Sequence, residues 1–217
     1  MPLSPDFKSR VLASVREVPA PTRKETLQRQ AWLIAAGLAG ALALFFIRGG
    51  LRATSRPPSL IALTSLGTAT FVGVGMWLLF TRGTSGLRRP RSVLIGAAVL
   101  STVAFVAWRY GISALYGRAG IWPERVGLRC LVLGVGTGGL MLFAALMSWR
   151  RSDPVTPRAT GAAFGAGAGL GSALLVDLWC PVAYVPHLLL GHVLPIALLS
   201  LAGALIGGPL LGIARRR

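Results

Sequence analysis

The chain has 217 residues, 53% of them apolar and only 13% charged, with a mean hydropathy of +0.66 and a formal net charge of +17. A soluble domain carries about 25% charged residues, so a water-packed globule is excluded, and at about 20 residues per spanning helix the length fits six spans with short loops. The basic excess would suit nucleic acid, but the arginines are scattered at segment ends with no run longer than Arg215-Arg216-Arg217, so they read as membrane-flanking charge and no direct nucleic-acid contact is expected.

The expected fold class is all-α. It is an integral membrane bundle of six transmembrane helices with a short amphipathic N-terminal cytoplasmic helix. The division falls between a cytoplasmic tail, residues 1–30, and a six-helix transmembrane domain, residues 31–217. In the tail, Ser4-Pro5-Asp6 is a helix start: Ser caps, Pro suits the first turn and Asp favours the positive end of the dipole. Phe7, Val11, Val15 and Val18 then share one helical face, and Pro19-Ala-Pro21 ends the helix. Such a short helix needs a partner or a membrane surface, because isolated helices under about 12–15 residues are marginal in water. Phe7, Val11, Leu12 and Val15 are the candidate partner-binding residues, in the mode of a helix laid in an apolar groove. Binding to lipid headgroups through Lys8, Arg10 and Arg16 is the competing use of the same helix.

Thr22-Arg-Lys-Glu25 is a capping-box pattern that opens a helix running straight into the membrane. The expected spans are Ala31 to Ile47, Leu60 to Phe80, Ser92 to Trp108, Leu128 to Trp149, Thr160 to Leu178 and Leu188 to Ile213. Cytoplasmic flanks carry the excess of Lys and Arg. Of the 23 Lys and Arg, 16 fall on the side of the two termini, and the other seven (Arg48, Arg52, Arg56, Arg109, Arg118, Arg125, Arg129) on the opposite side. Both termini are therefore expected in the cytoplasm. Gly161, Gly165 and Gly169 in span five, Gly134 and Gly138 in span four, and Gly203 and Gly207 in span six sit at the four-residue spacing that lets helix backbones approach.

Chemistry is sparse and concentrated. Residues 177 to 195 hold both histidines, one of the two cysteines and one of the six acidic residues. Cys130 opens span four and Cys180 follows span five. From Cys130 to Trp149 and from Thr160 to Trp179 are 20 residues each, a rise of about 30 Å, so an antiparallel hairpin puts both thiols at one depth on the outer side. Two thiols at one level can bridge, take up a soft metal, or act as small apolar fillers. They are the candidate signal-sensing or redox pair. Asp177 lies within apolar sequence, where a carboxylate is expensive unless paired, and Arg129 beside Cys130 is the expected mate. His187 and His192 are candidate metal ligands together with Cys130 and Cys180, although five residues is a poor helical spacing for a shared face. Pro186 and Pro195 point to an irregular start of span six. No cofactor is expected beyond a possible soft metal ion. No small-molecule substrate is identifiable, and no nucleophile–base pair, phosphate loop or zinc-protease motif is present, so an enzyme is not expected.

Arg129-Cys130, Trp179-Cys180-Pro181, His192 and the run Pro195-Ile-Ala-Leu-Leu-Ser-Leu-Ala-Gly-Ala-Leu-Ile-Gly give a chain that resembles the NrsF family of six-span bacterial inner-membrane anti-sigma factors. The resemblance implies that the tail holds an extracytoplasmic-function sigma factor at the bilayer, and that Cys130 and Cys180 sense a signal and release it. A small transporter, channel or redox subunit is the alternative. It is disfavoured by span interiors almost free of ionisable residues, which transport paths usually show.

Overall fold

The computed structural model describes residues 23–48, 57–80, 90–116, 127–150, 156–180 and 182–212. The tail helix expected around Phe7, Val11, Leu12 and Val15 lies outside them. Six helices follow in order: α1 (Arg23–Ile47), α2 (Pro58–Phe80), α3 (Arg91–Leu115), α4 (Leu128–Ser148), α5 (Pro157–Trp179) and α6 (Val185–Leu211). All six are long and apolar enough to cross a membrane, and the described residues contain no strand. A helix stands at the place of each expected span. The third runs on to Leu115 rather than stopping at Trp108, and the sixth starts at Val185 rather than Leu188. α1 begins at Arg23 with Glu25 in its first turn, so residues 23–30 of the expected tail are already helical and continuous with the first span.

Helices consecutive in the chain alternate in direction, and hydrogen bonds between helices fix the register. Trp108 Nε1 on α3 donates to the Leu63 carbonyl on α2 at 3.0 Å, and Tyr116 Oη donates to Ser59 Oγ at 3.0 Å. Gln30 near the start of α1 donates to the Ser148 carbonyl at the end of α4 at 3.0 Å. The closest pair is α5 with α6. A Cβ added at Gly169 would lie 2.6 Å from the Ile196 Cα, and one at Gly207 would lie 2.7 Å from the Pro157 carbonyl oxygen. Gly161 and Gly165 meet Gly203 and Leu199 at still closer range. The small-residue stripes of spans five and six therefore face each other, and the two backbones touch where any side chain would hold them apart. In span four, Gly134 receives the Pro195 ring and Gly138 receives Leu199.

α5 ends up as the axis of the bundle. Its outer surface meets α2 and α3 through Val72, Leu94, Ala97, Phe105, Ala166 and Leu170. It meets α4 through Leu142, Leu146, Phe164 and Ala168. α1 is peripheral, touching α4 along Gly37, Ala41 and Phe45, a stripe at four-residue spacing. This topology puts the end of α3, the start of α4, the end of α5 and the start of α6 at one end of the bundle.

Candidate functional site

The chemistry lies at that end. Cys130 is in the first turn of α4 and Cys180 caps the last turn of α5, its amide donating to the Val176 carbonyl at 2.8 Å. Both thiols are buried and unbridged. His187 comes down from the first turn of α6, its Nε2 at 3.1 Å from Cys180 Sγ and 3.6 Å from Cys130 Sγ. His192 completes the group: one ligand atom from each of Cys130, Cys180, His187 and His192 lies within 4.8 Å of all the others, and all four residues are buried.

Local backbone explains how two histidines five residues apart reach one site. Residues Leu189–Val193 form a π-helical turn, between α-helical Val185–Leu188 and Leu194–Leu211. In a π-turn the repeat is i to i+5, so residues five apart stack on one face. The His187 and His192 rings stand 5.8 Å apart, centroid to centroid. Pro195 accounts for the widened turn, because a proline has no N–H to give the carbonyl of Gly191 and its ring crowds that carbonyl. The i+5 spacing judged poor for an α-helix is thus the matching one here.

Two glycines let the elements close. Gly127 has φ +91°, the left-handed region that suits glycine, and a Cβ on it would sit 3.2 Å from His187 Nδ1. A Cβ on Gly191 would come within 2.9 Å of the Cys130 Cβ. Phe105 of α3 lies against the His192 ring at 5.8 Å. Phe45 of α1 packs in one apolar cluster with both cysteines, Leu133 and Val176.

Beside the thiols lies a buried ion pair, and here the expectation is corrected. Asp177 Oδ1 is 2.5 Å from Arg109 Nε, and both side chains are fully buried. Arg129, the expected mate, is exposed on the outer face of α4, where with Arg48 it lines a groove of about 570 Å³ between α1 and α4. Arg129 leads its neighbour Cys130 by one helical position, so when Cys130 faces inward the longer side chain points out. Arg109 also donates from Nη2 to the Cys180 carbonyl at 2.8 Å and from Nη1 to Ser113 Oγ at 3.4 Å. It therefore holds the residue after α5 as well as the acid within it. Ending the span at Trp108 puts Arg109 among the flanking charges. The available signal was that Gly111, Ile112, Ala114 and Leu115 continue apolar sequence past it, which leaves Arg109 inside the helix and in need of an acid at its own depth.

The structure thus brings together Cys130, Cys180, His187 and His192, adds Arg109 to Asp177, and leaves Arg129 outside. This four-residue cluster is of a kind that can bind a metal ion.

Fold and site define a bundle of six helices long and apolar enough to cross a membrane, with a thiol–imidazole cluster and a buried ion pair at one end. The chain belongs to the NrsF family: the family model, described as negative regulator of sigma F, matches residues 15–212. That description gives the chain a regulatory role, with a sigma factor as partner. No curated protein and no solved structure matches the chain.

Proposed function

We propose that this protein is a membrane-bound anti-sigma factor of the bacterial inner membrane, with both termini in the cytoplasm. Its tail, residues 1–30, sequesters an extracytoplasmic-function sigma factor through Phe7, Val11, Leu12 and Val15, and a signal received at the outer-side Cys130 and Cys180 releases it. The observation that carries the reading is the position of α1. Its last turns bring Phe45 into the cluster that holds both cysteines, and its first turns are residues 23–30, the end of the tail itself. Twenty-five helical residues span about 37 Å, so one rigid element joins the thiols to the binding segment. A rearrangement of the site that displaces Phe45 moves the base of the tail. The transporter or channel alternative lacks a polar path: among the described residues, the buried titratable side chains are Arg109, Cys130, Asp177, Cys180, His187 and His192, all at one end.

The test has three arms. Val11→Asp with Val15→Asp removes two apolar anchors, each contributing roughly 1.5–3 kcal/mol, and should abolish capture of the sigma factor by the full chain in detergent extract. Replacing Lys8, Arg10 and Arg16 by Gln should leave capture intact, because no bilayer is present. Phe45→Ala should retain the sigma factor but blunt its release on thiol oxidation. Retention of the sigma factor by the double aspartate variant would refute docking through this helix.

A further inference from the structure

We infer that Cys130, Cys180, His187 and His192 form a closed tetrahedral site for one divalent zinc-class cation, which fastens the start of α4 to the α5–α6 turn. The inference rests on the reading of the cysteines as the sensing pair and names the ligand they hold before any signal arrives.

Three observations lead there. First, the donor set is two thiols and two imidazoles with all four ligand atoms inside 4.8 Å, the Cys₂His₂ combination that structural zinc sites use and that tetrahedral S₂N₂ geometry selects. His187 Nε2 already points between the two sulfurs. Second, neither ring nitrogen of His192 makes a well-formed hydrogen bond among the described residues, although the side chain is 1% exposed. A buried imidazole without a well-formed hydrogen bond is costly, and a metal lone-pair contact from one nitrogen removes that cost. Third, charge favours a divalent ion. Two thiolates and two neutral imidazoles with a 2+ ion sum to zero, whereas a monovalent soft ion leaves one uncompensated negative charge in an apolar pocket. The neighbouring Arg109–Asp177 pair is itself neutral and supplies no spare cation.

The backbone is shaped for closure, not turnover. The ligands come from the first turn of α4, the residue after α5, the first turn of α6 and the π-turn, and Gly127 and Gly191 remove the side chains that would hold these elements apart. Four protein ligands with no open position define a structural site. An ion there joins three segments beside the apolar cluster that holds Phe45 of α1.

The experiment uses the full chain in detergent, reduced, stripped with chelator, and titrated with Co²⁺ as a spectroscopic probe, then with Zn²⁺. The expected result is one equivalent of Co²⁺ with the intense visible bands of a tetrahedral thiolate-ligated ion, displaced by one equivalent of Zn²⁺, and a Zn²⁺-dependent rise in thermal stability. His192→Gln should weaken Zn²⁺ binding by about a hundredfold or more, since even residues behind a ligand are worth about 10–100-fold. Absence of thiolate bands in the monodisperse wild-type chain, or His192→Gln binding as the wild type does, would overturn the site, and the first readout does not depend on any variant folding. Sigma-factor capture is measured in the same preparations. If Co²⁺ fails to bind while oxidation of the thiols still releases the partner, the metal inference falls and the sensing reading stands. If Co²⁺ binds as expected but no sigma factor is retained, the site stands and the anti-sigma reading falls.

Discussion

α5 and α1 are opposite solutions to the same solvent. The most apolar window of α1 has a mean hydropathy of 2.0 and is 11% buried, whereas that of α5 has 1.4 and is 78% buried. In a water-soluble protein the greasier helix would be the inner one. Here the order reverses, which suits helices long and apolar enough to cross a membrane, because apolar surface gains nothing by leaving hydrocarbon. α1 presents Trp32, Leu38, Leu42, Phe46 and Ile47 outward. α5 is inside because it is thin: Gly161, Gly165 and Gly169 let α6 lie on its backbone, and dispersion between close backbones replaces the hydrophobic term. Burial then makes α5 the place where an acid such as Asp177 can be paired away from the bundle's surroundings. The central helix fixes the site, and the peripheral one touches it through the cluster that holds Phe45.

The largest test of this division is Asp177→Ala. It strands the Arg109 guanidinium, and breaking one side of a buried pair costs about 3–5 kcal/mol. Thermal unfolding in detergent should show that loss together with disturbed thiols, because Arg109 also holds the Cys180 carbonyl. Replacing Arg109 and Asp177 together by Leu should cost less than either single change. If the double variant is the worst of the three, the pair is not the unit described here. The next effect is a contrast between glycines. Gly165→Ala drives a methyl into the Leu199 carbonyl of α6 and should destabilise by about 1–3 kcal/mol. Gly40→Ala on α1 meets only the Leu140 Cδ1 at 3.5 Å, ordinary contact, and should be neutral or slightly stabilising through helix propensity. Equal costs at the two positions would erase the distinction between axis and periphery.

The bundle was legible in the sequence because span length and composition report directly on a hydrocarbon solvent. The equal 20-residue distances from the α4–α5 loop placed Cys130 and Cys180 at one depth, and the structure brings them together. The pairing of Asp177 was not legible, because depth along a helix can be counted but direction around it depends on packing. Arg129 has the right depth and the wrong azimuth. The shared face of His187 and His192 was hidden for a different reason: α-helical spacing rules do not apply across a π-turn. The prolines that mark it were noticed as irregularity, but which way proline crowding re-aims the ring of His192 depends on the neighbouring Gly191 and α4. The place of Phe45 in one cluster with the cysteines was also out of reach, since α1 and α4 are joined through two intervening helices.

The smallest expected effect bears on the periphery. Gln30 sits where α1 leaves the tail, and its Nε2 donates to the Ser148 carbonyl, beyond the last turn that α4 can satisfy internally. Hydrogen bonds between helices in a bilayer average about 0.6 kcal/mol in double-mutant cycles. Gln30→Ala should therefore lower stability by about that amount, close to the limit of a detergent melt. Its effect on the position of the tail should be easier to read. With Phe45 still seated at the far end, α1 pivots about Gly37 and Ala41, where it touches α4, and loss of the Ser148 link frees the near end. A spin label or fluorophore pair on Lys24 and Arg150 should report a broader distance distribution in the variant and an unchanged one for Gly40→Ala. If Gln30→Ala leaves that distribution as narrow as the wild type, α1 is clamped by packing alone. Motion at the cysteine end would then reach the tail by translation of the whole helix and not by a pivot.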